Sequence, residues 1–180
     1  MDKLSSREGF KDSSMGSNRD ISAYVWCVLV SLILGCLQTG FFAELPLFGT
    51  APDLSLAFVV AVAMRWGAKR GTAAGLSAGI VMSALSSGSY LTLPFYFALG
   101  VIVGVLFEGS ARRGFIPYLI TAGAAALLRV SATFFELCLF MPSFGFTAAI
   151  TKLILPNLAA TILFSPIFYL IAAERRERSK

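Results

Sequence analysis

The chain has 180 residues, 57% of them hydrophobic and 14% charged, where a soluble domain carries roughly 25% charged residues. That balance excludes an ordinary soluble fold of this size and indicates an all-α integral membrane protein. No histidine is present among 15 Lys and Arg and 10 Asp and Glu, which argues against imidazole metal sites and histidine acid–base catalysis.

Residues 1–20, MDKLSSREGFKDSSMGSNRD, are polar and carry charges of both signs. They lack the apolar surface to form a core and are expected to be a disordered cytoplasmic tail. No signal-peptide pattern of suitable length follows. Six apolar segments then approach the ~20 residues that a spanning helix needs: 21–43, 52–66, 70–87, 90–108, 115–141 and 146–173, with a basic tail at 174–180. The third is the least apolar. The basic residues support counting it. Lys3, Arg7, Lys11 and Arg19 precede the first segment, and Arg65, Lys69 and Arg70 surround the second connection. Arg112 and Arg113 mark the fourth connection, and Arg175, Arg176, Arg178 and Lys180 end the chain. The first, third and fifth connections lack Lys and Arg. This alternation predicts a six-span bundle with both termini in the cytoplasm. It also explains the net charge of +5 as topology; the basic residues are dispersed and lack the interleaved aromatics of a nucleic-acid surface.

The first segment carries a ladder of small residues, Cys27, Ser31, Gly35 and Thr39. Cys27, Cys36 and Cys138 lie inside apolar runs, as packing residues do, and their odd number and spacing suggest neither a disulfide framework nor a metal site. In the third segment small residues recur every fourth position: Gly67, Gly71, Gly75, Gly79, Ser83 and Ser87. Such a ridge lets a second backbone approach closely in lipid, where apolar surface alone does not drive helices together. Gly100 and Gly104 of the fourth segment are the expected matching surface. Packing within one bundle and docking of a partner, including a second copy, are both open readings.

Three ionisable residues fall at membrane depth in the last two segments: Arg129, Glu136 and Lys152. Charges there are costly and are usually paired and inward-facing. A hairpin turning at Pro142–Gly145 and centred on Phe144 places Glu136 opposite Lys152, and brings Asn157 near the level of Arg129. Arg129 and Glu136 share a helix face about 10 Å apart along the axis. The cluster reads either as a satisfied polar lock for the hairpin or as a pocket or partner contact open to the outer face. No phosphate loop, GxSxG or HExxH pattern accompanies it, and no cofactor, metal or catalytic residue is expected.

The run from Leu37 to Gly88 resembles the rod shape-determining protein MreD family. The resemblance rests on Leu37–Gln38 near the end of the first helix, Pro52–Asp53–Leu54 at the start of the second, the glycine series with Gly75, Leu76 and Gly79, and Pro156–Asn157 late in the chain. It is best over 37–106. Many family members carry an Asp near the end of the glycine-rich helix, where this chain has Ser83 and Ala84. The resemblance implies a non-enzymatic, multi-pass subunit of the bacterial inner membrane within the cell-elongation machinery. It implies partners as well: the single-span protein MreC and a peptidoglycan glycosyltransferase and transpeptidase pair. A rival of a different class is the substrate-binding S component of an energy-coupling-factor vitamin transporter, which has a similar fold and size. There the outer helix halves bind a small molecule, and small residues on the first helix dock the energising subunit.

Overall fold

The structure, a computed structural model, describes residues 21–41, 52–85, 91–109, 114–140 and 155–177. All secondary structure among them is helical, in six helices: α1 (Ile21–Phe41, closing on a π-helical turn, Leu37–Phe41), α2 (Leu54–Trp66), α3 (Ala68–Leu85), α4 (Thr92–Phe107), α5 (Phe115–Phe140) and α6 (Leu155–Glu177). Two are long and apolar enough to cross a membrane, Ile21–Phe41 and the Phe115–Glu136 part of α5. α2, α4 and the Pro156–Ile171 part of α6 are shorter apolar helices. With 13 residues, α2 is about 20 Å long, well short of the ~30 Å hydrocarbon core.

The centre of the fold is α2. Every side chain from Leu54 to Met64 is buried, as expected for a helix that is apolar all round. It packs against α3, α4, α5 and α6. Its start is well defined. Asp53 is the N-cap, and its Oδ1 accepts from the Leu56 N–H at 3.0 Å, satisfying a donor that the first turn leaves open. Its end is abrupt. Gly67 takes φ 83° and ψ −173° and α3 begins at the next residue. Only glycine adopts that conformation without strain.

The remaining helices hold several small polar residues inside, Ser31, Ser77, Thr92, Thr161 and Ser165, among an otherwise apolar interior, and turn large apolar side chains outward. Facing outward are Leu29 and Ile33 of α1, Ile80 of α3, Val105 and Leu106 of α4, Ile116 and Leu128 of α5, and Leu163 and Leu170 of α6, each about half exposed or more. Toward the end of the bundle where α2 finishes, Trp26 packs tilted against Phe58 and edge-on against Trp66, Tyr169 packs on Phe115 and Tyr118, and the Arg65 guanidinium lies 4.5 Å from the Tyr169 ring centre.

Several expectations change. Gly67 is the hinge between two helices and stands outside the ridge. The second connection shrinks to that one residue, so Lys69 and Arg70 belong to the first turn of α3. α4 begins at Thr92 rather than 90, and α6 continues to Glu177 rather than 173. Ser83 is exposed, because the turn of the helix carries the fourth-residue series away from the packed side. Of the cysteines only Cys27 is buried; Cys36 and Cys138 face outward. Ser87, Lys152 and the Pro142–Gly145 turn lie outside the described residues, as does the proposed tail at 1–20.

Candidate functional site

Two constructions meet on α4. The first is its seam with α3. A Cβ placed on Gly71 would lie 2.7 Å from the Gly100 carbonyl oxygen, and one on Gly79 would lie 3.0 Å from the Leu93 carbonyl oxygen. One on Gly75 would collide with the Tyr96 carbonyl, and one on Gly100 with the Gly71 carbonyl. Gly104 is closed by the Ala68 Cα, 2.5 Å from its notional Cβ. Gly71, Gly75, Gly79, Gly100 and Gly104 are thus brought together, backbone on backbone, inside one chain. The small-residue ladder of α1 is also turned inward. Ser31 and Ser77 share a hydrogen bond of 3.0 Å, and a side chain on Gly35 would meet Val81.

The second construction is a polar cluster at the opposite end from the aromatic residues. It gathers side chains from five of the six helices, because α1 and α5 arrive there while α2, α4 and α6 depart. Asp53, 6% exposed, is its hub. Its Oδ1 caps α2 and also accepts from Tyr96 Oη at 2.5 Å. Its backbone N–H donates to Thr161 Oγ1 of α6 at 3.0 Å. Gln38 sits on the widened π-helical turn of α1, and its Oε1 lies 3.4 Å from the Ser55 N–H. Single π turns of this kind recur at functional sites. From α5, Arg129 Nη2 donates to Thr92 Oγ1 at 2.9 Å, with the guanidinium 5.6 Å and 5.8 Å from the Phe95 and Tyr96 ring centres. Arg129 and Asp53 meet on Tyr96, the guanidinium 5.8 Å from its ring centre and the carboxylate accepting from its hydroxyl. An opposite pair inside an apolar bundle attracts far more strongly than in water. Two buried atoms in or beside this cluster make no hydrogen bond, Arg129 Nη1 and Ser55 Oγ.

Arg129 therefore joins a group that the sequence reading did not assemble. Its hydrogen bond runs to α4, and the carboxylate that shares Tyr96 with it is Asp53, which the sequence marks only within the Pro52–Asp53–Leu54 start of the second helix. A helix start of the form Pro-Asp-Leu is itself an N-cap signal, and a buried N-cap Asp would have required a buried cation. Thr92 and Tyr96 carried no comparable signal. Glu136 lies farther along α5, where its Oε1 accepts from the exposed Leu91 N–H at 3.2 Å. Its pairing with Lys152 concerns a residue outside the described set. Asn157 is half-buried on the first turn of α6, one turn before Thr161.

The chemistry available is that of a charge-assisted clamp. One carboxylate, one guanidinium and one phenol hold the starts of α2 and α4 against α5, and Thr161 ties α6 to the Asp53 backbone N–H. Comparison with protein-family models, with curated proteins and with solved structures finds no match.

Proposed function

We propose that the chain is a multi-pass membrane subunit with no catalytic chemistry of its own, which works by presenting helix faces to partner proteins. The observation that carries this reading is the outward surface of the bundle: leucines, isoleucines and valines face out on α1, α3, α4, α5 and α6, while serines, threonines and an Asp are held inside with the apolar core. Water would penalise that outward surface, since soluble monomers rarely expose contiguous apolar patches of more than a few hundred Å². Lipid accepts it, and polar groups then turn inward. Six spans with both termini in the cytoplasm follow from the Lys and Arg alternation. The shortness of α2 is compatible with this, because its neighbours shield it from lipid along its whole length.

The resemblance to MreD supplies the biological setting: the inner membrane of a bacterium and the elongation machinery. An MreC-like single-span protein and the peptidoglycan glycosyltransferase and transpeptidase pair would be the partners. The outward faces of α1 and α5, the two longest apolar spans, are the surfaces available to them. The S-component reading draws on the polar cluster, which sits at the outer end under this topology. Against it, Ser31 and Gly35 are spent on contact with α3 and are not free to dock an energising subunit. Affinity purification of the full chain from native membranes followed by mass spectrometry separates the two. Recovery of a single-span coiled-coil protein with wall synthases supports the scaffold; recovery of an ATPase pair overturns it.

A further inference from the structure

The helices do not all reach the same height, and close contacts fix their relative levels. Ser31 meets Ser77, and a side chain on Gly35 would meet Val81. α1 and α3 therefore run parallel, each α1 residue beside the α3 residue 46 places on. α3 and α4 run antiparallel: Gly71 faces the Gly100 carbonyl, Gly79 the Leu93 carbonyl, and Gly104 the Ala68 Cα. At the inner end the levels agree. Ile21 of α1 stands at the height of Gly67, and the exposed Lys69 and Glu108 lie within about one turn of it. At the outer end they part. Leu91, where α4 begins, is level with Val81 and so with Gly35. From Gly35, α1 climbs about 9 Å further to Phe41, with Cys36, Leu37 and Phe41 facing outward.

The low start of α4 carries charge at the edge of the bundle. The Leu91 N–H donates to Glu136 Oε1 at 3.2 Å in an exposed contact, and α5 runs only one turn past Glu136, to Phe140. Below that level the flank is apolar, with Phe97, Ile102, Val105 and Leu106 exposed. The next charge along α4 is Glu108, exposed at its C-cap. From Leu91 to Glu108 the helix rises about 25 Å, short of the ~30 Å hydrocarbon core. α1 rises about 30 Å from Ile21 to Phe41 and matches it. Tilting the bundle does not reconcile the two flanks, because a tilt that lifts Leu91 to the outer surface draws Glu108 inward by the same amount.

A carboxylate at hydrocarbon depth is costly, and a bilayer meets a short apolar stretch by thinning. We infer that the start of α4 holds a local depression of the outer leaflet, in which zwitterionic phospholipid headgroups descend to Leu91 and Glu136 and the acyl chains beneath them cover Phe97, Ile102 and Leu106. The Glu136 carboxylate repels anionic headgroups, which leaves zwitterionic ones as the occupant. The bundle thus presents two lipid-facing flanks of unequal thickness, full along α1 and thinned along α4. The inference rests on the membrane reading, and the outcomes below separate the two.

The test compares nitroxide labels at equal height on the two flanks, in the full chain in dioleoyl phosphatidylcholine vesicles. One label sits on the native Cys36, exposed on α1; the other sits on Leu91→Cys, which keeps the backbone N–H that Glu136 accepts. Cys36→Ser and Cys138→Ser remove the competing thiols. Oxygen collects in hydrocarbon, whereas a water-soluble nickel chelate stays with headgroups and water. The Cys36 label should meet oxygen and scarcely the chelate, and the Leu91 label should meet the chelate several-fold more often. In Glu136→Leu that difference should shrink. The parent's thermal midpoint should be several degrees higher in the shorter dimyristoleoyl phosphatidylcholine, and Glu136→Leu should lose most of that gain. A Leu91 label as shielded from the chelate as Cys36, or a Cys36 label as open to it as Leu91, would overturn the proposal. So would an open Leu91 label with a midpoint indifferent to chain length, which would assign a water-filled cleft in place of a thinned leaflet. A label on Leu29→Cys, halfway along α1, should meet oxygen alone; free contact with the chelate there would refute the membrane reading itself.

Discussion

Helix α4 is gripped on one side by glycine and on the other by charge. Against α3, Gly71, Gly75 and Gly79 lie under the carbonyls of Gly100, Tyr96 and Leu93, so the contact depends on the absence of side chains. Against α5, two long side chains reach across, so the contact depends on their presence. A glycine seam gains from dispersion along its whole length and tolerates no added atom. A polar bridge is local, and its strength comes from how well each charge is satisfied. The first kind holds along the whole contact; the second holds only at the start of α4.

The largest expected effect is on the glycine side. Gly75→Leu forces a side chain into the Tyr96 carbonyl and should cost about 3 kcal/mol or more, enough to abolish a monodisperse folded peak in detergent. Gly75→Ala sharpens the point through its sign. In an open helix that change is stabilising by up to about 1 kcal/mol; here it should lower the melting midpoint. Gly123→Ala on α5, where the new methyl group meets only Ile162 at 3.8 Å, should be neutral or stabilising. If the two alanine variants behave alike, the α3–α4 contact is not the close backbone-on-backbone seam described.

Next in size is the charge side. Asp53→Ala removes the cap of α2, the acceptor of Tyr96 and the counter-charge of Arg129 together. Orphaning a buried charge costs about 3 kcal/mol, read as a lower melting midpoint. Arg129→Met should be similarly harmful alone, and the Asp53→Ala/Arg129→Met double variant should lose less than the two single losses added. Strict additivity would mean that the two groups do not couple.

The smallest effect belongs to Glu136. Its bond to Leu91 is exposed, so Glu136→Gln should change stability by less than about 1 kcal/mol. Rescue of that loss by a second change, Lys152→Met, would reveal an ion pair across the α5–α6 hairpin. No rescue would mean that Glu136 and Lys152 do not pair.

These residues also show how far the sequence could be read. The four-residue beat from Gly71 to Gly79 is legible because small residues one turn apart leave room for a second backbone, and Gly100 and Gly104 repeat it on the opposing helix. Gly67 shares the beat yet serves as a turn, since spacing cannot reveal a positive φ. The complete burial of α2 is written in a run, LSLAFVVAVAM, that is apolar on every face. Its short length is set by a cap and a glycine, which hydropathy does not weigh. The polar cluster was half-visible. Arg129 stands out because charges are rare at depth. Asp53 does not, because a Pro-Asp pair at the edge of an apolar run looks like any loop end until tertiary packing buries it. Linking them required the placement of α4, whose Thr92 and Tyr96 are ordinary residues in sequence.

The central proposal is that the bundle turns its apolar faces to lipid, with alternate connections on opposite sides of the membrane. Reporter fusions after Thr50, Ser89 and Ser143, and at Lys69, Arg112 and the C-terminus, test it most directly. The account predicts the first three outside and the last three inside; a single connection on the wrong side would contradict it.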